Sequence, residues 1–190
     1  GGRVKSQLVF YRASSVPAVY VDVRSGSMDY IHRFKGNEEP GSVRIYLPDG
    51  TLDYRGDLES VKGRGNATWE WEKKPYNMKL RTQGDLLGMG AAQNWVLLAN
   101  TYDPSHLRNR FVYETAGELG LAGSPQCCAV DLYLNGEYAG LYLLSERNEL
   151  HPQRLDLPEQ GSFLVSRESS WRLISQSYPR VLLDSGAALR

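Results

Sequence analysis

Two apolar-rich runs, residues 129–134 and 137–144, are separated by Asn135 and Gly136 alone. Asn-Gly tolerates the two positive φ angles of a type I′ turn, whose twist matches the strands it joins, so this spacing predicts an antiparallel hairpin. A second reversal is written around Pro48-Asp49-Gly50, where proline presets one dihedral and glycine accepts a positive one. It follows the alternating segment 42–47, with Val43, Ile45 and Leu47 inward, and leads into residues 51–54. These two turns commit much of the chain to antiparallel sheet.

Further strands follow from alternation. Val19, Val21 and Val23 share one face of residues 16–23, and residues 58–62 are extended. Residues 94–100 form a continuous apolar run bounded by turn formers, the pattern of a central strand buried on both faces. Residues 85–90 are too short and too rich in glycine for a stable helix. Weaker extended segments lie at 161–166, 171–174 and 180–183, and residues 1–15 read as an irregular lead-in.

One helix is signalled. Asp103 is placed to cap free N–H groups, Pro104 suits a first helical position, and Gly120 suits a left-handed stop. Leu107, Phe111, Thr115, Ala116 and Leu119 form the stripe expected to pack inward, and Arg110 and Glu114 are spaced to pair. The expected architecture is therefore α+β: a largely antiparallel sheet with one prominent helix, in a single domain over residues 1–190.

Charge narrows the function. Lys plus Arg and Asp plus Glu both number 22, and this neutrality argues against broad electrostatic binding to nucleic acid or to an anionic membrane. No run of 18 apolar residues suits a membrane span. The cysteines are the neighbours Cys127 and Cys128, which cannot staple distant parts of a fold and lack zinc-ligand companions. His32, His106 and His151 have no spacing that reads as a metal site or a catalytic triad.

The residues suited to chemistry cluster between 62 and 81. Gly63-Arg64-Gly65-Asn66 offers free backbone N–H groups and a forked guanidinium to an anion, although its spacing matches neither the P-loop nor the dinucleotide fingerprint. The strand that follows places Tyr76, Met78 and Leu80 on one face and Asn77, Lys79 and Arg81 on the other, so Lys79 is held away from the core near a glycine turn. Trp69 and Trp71 alternate on the segment between, which predicts a shared side from which both stack on a sugar or base.

Taken together, several of these stretches resemble one family, the CotH-type spore-coat kinases, which are atypical secreted bacterial protein kinases. The resemblance is carried by Gly63-Arg64-Gly65-Asn66-Ala67-Thr68-Trp69, by Lys73-Lys74-Pro75-Tyr76-Asn77-Met78-Lys79-Leu80, by Leu87-Gly88-Met89 and by Trp95-Val96-Leu97-Leu98-Ala99-Asn100. Asp103 with Leu107-Arg108-Asn109-Arg110, and the hairpin from Asp131 to Glu146, complete it in the family's order, over about residues 60 to 165.

The resemblance implies a kinase-like fold in which this chain supplies the nucleotide-covering lobe, with ATP and Mg as cofactors. It makes Lys79 the phosphate lysine, with Asn77 beside it on the same strand face, Glu114 or Glu118 its helix partner, Arg64 an extra phosphate donor, and Glu146 a residue of the hinge beside adenine. It implies a protein acceptor on a cell or spore surface, and an extracellular location. The family's metal-binding and catalytic aspartates have no counterpart before Arg190, and Asp184 stands in no such motif, so the expectation is an amino-terminal or truncated member inactive by itself. The alternative is a non-catalytic extracellular binding or adhesion module for a protein or glycan, using Trp69, Trp71 and surface tyrosines.

Overall fold

The computed structural model of the chain describes residues 14–149 and 151–155, with the backbone of Val165–Arg167 and Val181–Leu183. Seven strands close into a barrel: β1 (Ala18–Val23), β2 (Glu38–Tyr46), β3 (Leu52–Gly63), β4 (Tyr76–Asp85), β5 (Ala91–Leu98), β6 (Cys127–Leu134) and β7 (Glu137–Glu146). Their order around the barrel is β1-β2-β3-β4-β5-β7-β6. Every neighbouring pair is antiparallel except β1 and β6, whose parallel pairing sets Ala18 beside Asp131 and Val21 beside Leu134 and shuts the ring. Strands β8 (Val165–Arg167) and β9 (Val181–Leu183) form a separate antiparallel pair.

Both turns form as the residue chemistry requires. Asn135 and Gly136 take φ of 50° and 86°, and the Asn135 side-chain oxygen also accepts a bond from Val23 N at 2.9 Å. At the other reversal Gly50 has φ 86°, and Leu47 N donates to Thr51 O at 2.8 Å. Residues 51–54 and 58–62 belong to one continuous strand, β3, rather than two pieces. Of the weaker extended segments, 180–183 coincides with β9 and 161–166 overlaps β8. Residues 171–174 and 1–13 lie outside the described residues.

The barrel interior is the core. Val19, Val21, Val43, Ile45, Leu58, Val61, Met78, Leu80, Trp95, Leu97, Leu132 and Leu144 are almost completely buried there, each contributing roughly 1.5–3 kcal/mol where the side chain is large. Helix α1 (Asp29–Arg33) adds Ile31 to this core. So does Trp69, which belongs to a short 3-10 turn (Ala67–Glu70) and not to a strand. Trp71, beyond that turn, stays 47% exposed, so the two indoles differ in burial although both border one surface concavity.

The expected α+β architecture, with its kinase-lobe arrangement of a sheet under a prominent helix, is overturned. The fold is a closed barrel, and helix α2 (Arg108–Glu118) is a peripheral element with no buried residue. Leu107, Phe111 and Leu119, expected inward, are 57%, 69% and 70% exposed. The physical reason is closure: a sheet curled onto itself fills its interior with its own alternate side chains and leaves no open apolar face for a helix to cover.

The helix boundaries differ for a related reason. Asp103 precedes the first helical residue, Arg108, by a loop, yet its carboxylate accepts that residue's free N–H (2.8 Å) as expected of a cap, and it also holds the loop through Ser105 N (3.1 Å) and Ser105 Oγ (2.6 Å). At the other end Gly120 takes φ 68° just past the last turn, as its lack of a Cβ allows.

Candidate functional site

Strand alternation assembles the site. On β3, Val61 and Gly63 point to the core, so Lys62 lies on the outer face, and half-buried Arg64 directly follows the strand. On β4, Tyr76, Met78 and Leu80 are buried, so Asn77 and Lys79 lie on the outer face beside them. The register sets Lys62 opposite Asn77 and Ser60 opposite Lys79, and Arg64 N donates to Pro75 O at 3.1 Å. Arg64, Lys62, Asn77 and Lys79 therefore make one stripe, spanning roughly 13 Å at the ordinary rise per strand residue.

The three cations of this stripe differ in their partners. Lys79 Nζ is 2.9 Å from Glu59 Oε1, and Lys62 Nζ is 3.4 Å from Glu38 Oε2; both pairs are half exposed. Arg64 is more deeply set and has no carboxylate partner among the described residues. Burial lowers its pKa, the hydroxyl of Tyr113 opposes that shift, and the neighbouring Arg147 guanidinium adds to it.

The turn between the strands is built to hold Arg64 where it is. Gly63 lies against Trp69 so closely that a Cβ would stand 2.4 Å from the indole. Gly65 has φ 80° and leaves no room beside Thr68 Oγ1. Beyond the turn lies a pocket of about 370 Å³, lined by Arg64, Thr68, Asn100, Asp103, Arg108 and Asn109 among others. Asn109 Nδ2 donates to Asn100 Oδ1 at 2.8 Å, which fixes the two amides relative to each other. Arg108 is only loosely tied to Asp103, at 3.7 Å, and its side chain is 76% exposed. Two guanidinium groups and two side-chain amides thus border one cavity, which Pro75, Leu98, Ala99 and the Asp103 carboxylate also line.

The sequence-derived residues divide accordingly. Lys79, Asn77 and Arg64 come together on one face. Glu114 and Glu118 do not join them: Glu114 pairs with Arg110 at 2.7 Å on the exposed helix, and Glu118 is exposed near its end. The acid beside Lys79 is Glu59, from the adjacent strand.

Glu146 is elsewhere again, at the end of β7. It accepts a bond from Gln126 N at 2.7 Å and pairs with Arg154, whose guanidinium stacks 4.4 Å from the Trp95 ring centre. Burial pushes the Glu146 carboxyl up, while the Gln126 N–H and Arg154 draw it back down. Both side chains are nearly inaccessible, so this is a buried structural pair, lining a separate cavity of about 210 Å³.

Sequence reading missed Lys62, Arg108, Asn100 and Asn109. Lys62 was accessible to it, because it stands two residues from Arg64 on the same strand face. The other three stand in stretches that carry the family resemblance, but only the loop that Asp103 folds brings them to one pocket with Arg64. Among the described residues no group of three or more His, Cys, Asp or Glu is placed to hold a metal ion. Nor is any helix among them long and apolar enough to cross a membrane.

The chain belongs to the CotH kinase family: residues 61–178, well over half of its length, match the family model described as CotH kinase protein. No curated protein matches the chain at a significant level.

Proposed function

We propose that the chain binds the phosphates of ATP along the stripe from Lys79 to Arg64, as its part in CotH-type phosphate transfer to a secreted or surface protein. The observation that carries this reading is Arg64. A partly buried guanidinium with no carboxylate partner among the described residues gains more from a phosphate than an exposed, already paired cation does, because little water remains to solvate it. Arg108 and the Asn100–Asn109 amide pair supply further donors on the far side of the same pocket.

Lys79 supports the reading differently. Its pair with Glu59 is half exposed and worth only about 0–1 kcal/mol, so a phosphate can compete for the ammonium at little cost. Family membership supports ATP with Mg as the ligand, and Mg, when bound, would neutralise phosphate charge.

The test is thermal unfolding with and without saturating Mg-ATP. A ligand at a hundred times its Kd stabilises by about 2.7 kcal/mol, a readable rise in Tm. Wild type should show the rise and Arg64→Ala should lose it. No rise in wild type at millimolar Mg-ATP, alongside a rise with a glycan, would replace this reading with that of a non-catalytic binding module.

A further inference from the structure

A second concavity, about 900 Å³, lies on the other side of the same turn. Asn66 and Ala67 line it while Gly65 and Thr68 line the Arg64 pocket, and Tyr102 borders both. The turn that positions Arg64 is thus a shared wall, and a chain lying in the groove runs directly beside the phosphate pocket.

The groove carries three exposed aromatic rings: Phe34, Trp71 and Tyr102 at 67%, 47% and 53% exposure. They are held in place. Trp71 Nε1 donates to the Tyr102 hydroxyl at 2.7 Å, with the rings edge to face at 5.2 Å. Phe34 lies over Gly36 so closely that a Cβ there would be 2.6 Å from the ring. Fixing exposed rings in advance removes ordering cost from a later binding event.

Its charge is one-sided. Arg33, Lys35 and Lys74 line the groove against the single carboxylate of Glu70. Lys35 Nζ donates to Gly65 O (2.7 Å) and Asn66 Oδ1 (3.1 Å), and Lys74 Nζ to Trp69 O (2.8 Å) and Trp71 O (3.0 Å). These are neutral acceptors: they position the two ammonium groups without cancelling their charge. None of the three cations pairs with a carboxylate among the described residues.

We propose that this groove docks an acidic segment of the acceptor protein that carries an aromatic or large aliphatic side chain, the carboxylates meeting Arg33, Lys35 and Lys74 and the apolar side chain meeting Phe34 and Trp71. This deepens, and rests on, the phosphate-transfer reading. A peptide fits better than a nucleic acid strand, whose evenly spaced phosphates favour a longer run of cations uninterrupted by an acid such as Glu70.

The experiment is fluorescence anisotropy of the full chain with labelled 14-residue peptides. One is rich in Asp and Glu with a single Phe and Ser; the others replace the acids with Gly and Ser, or with Lys; a 14-nucleotide oligo-dT is the fourth probe. The acidic peptide should bind at least tenfold tighter than the neutral one and weaken several-fold between 50 and 300 mM salt. Trp71→Ala and Arg33→Glu should each weaken it tenfold or more, with circular dichroism confirming folding and Trp71→Phe retaining most of the affinity. Equal binding of acidic and neutral peptides, no effect of either variant, or tighter binding of oligo-dT would overturn the proposal. The Mg-ATP shift of the wild type separates the two readings: acidic-peptide preference without that shift leaves a docking groove on a protein that does not bind nucleotide.

Discussion

The imidazole Nε2 of His32 stands 2.7 Å from the hydroxyl of Tyr76, joining helix α1 to strand β4. Burial, and then the neighbouring Tyr142 hydroxyl, push the Tyr76 pKa well above its ordinary range, so the phenol keeps its proton in this contact. Burial, and then the Lys74 ammonium, lower the His32 pKa below 6.5, with Asp29 opposing. His106 is shifted the same way, first by burial and then by Lys73. Between the folded pKa and 6.5 the unfolded chain binds more protons than the native one, so stability is complete above that window and falls as pH drops through it. Urea midpoints should therefore decrease from pH 7 to pH 5, and His32→Gln should flatten the slope without abolishing it. Midpoints independent of pH would refute the linkage.

Gly63 and Gly117 should respond oppositely to alanine. At Gly63 the new Cβ strikes the Trp69 ring and must displace a core indole, which costs about 1–3 kcal/mol. At Gly117, inside exposed α2, the nearest side-chain atom is 3.9 Å away, and the change should stabilise by about 0.4–1 kcal/mol. Denaturant unfolding of the two variants measures both.

Lys79→Ala separates structure from binding. Removing one partner of a half-exposed ion pair should alter stability by no more than about 0.5 kcal/mol. The same variant should reduce, but not eliminate, the Mg-ATP rise in Tm that Arg64→Ala eliminates. An undiminished rise would take Lys79 out of the site.

The adjacent thiols of β6 should be inert in the native state. Burial, with the Glu114 carboxylate adding to it, pushes Cys127 from 9.0 to about 11, and burial raises Cys128 as well. Because the thiolate is the reacting species, native Cys127 should react roughly a hundredfold more slowly than an unshifted thiol at pH 7.5, through this effect alone. Disulfide-exchange reagents at that pH, with and without urea, test it; equal rates in the two conditions would show that burial does not govern reactivity.

Much of this was legible in the residues because it rests on local geometry. Asn135-Gly136 specified its hairpin, Pro48-Asp49-Gly50 specified another, and simple alternation put Asn77 and Lys79 on the same outer face that Arg64 joins. Where the reading failed, a local signal competed with a distant one. The stripe of Leu107, Phe111 and Leu119 is a sound amphipathic pattern, yet the barrel offers it no face to cover. The Trp69–Trp71 alternation looked like a strand, and the 3-10 turn from Ala67 rotated one indole into the core.

By itself, the sequence determined the turns and the strand faces, since each depends on residues a few positions apart, and it carried the family resemblance through short stretches kept in order along the chain. Only the tertiary structure decided closure. The parallel pairing of β1 with β6 joins Val21 to Leu134 across more than a hundred residues of chain, and no local periodicity encodes it. That one pairing closes the barrel, fills its interior with strand side chains and leaves α2 outside, while the pairing of β3 with β4 gives Lys79 its partner in Glu59 and Arg64 has no carboxylate partner among the described residues.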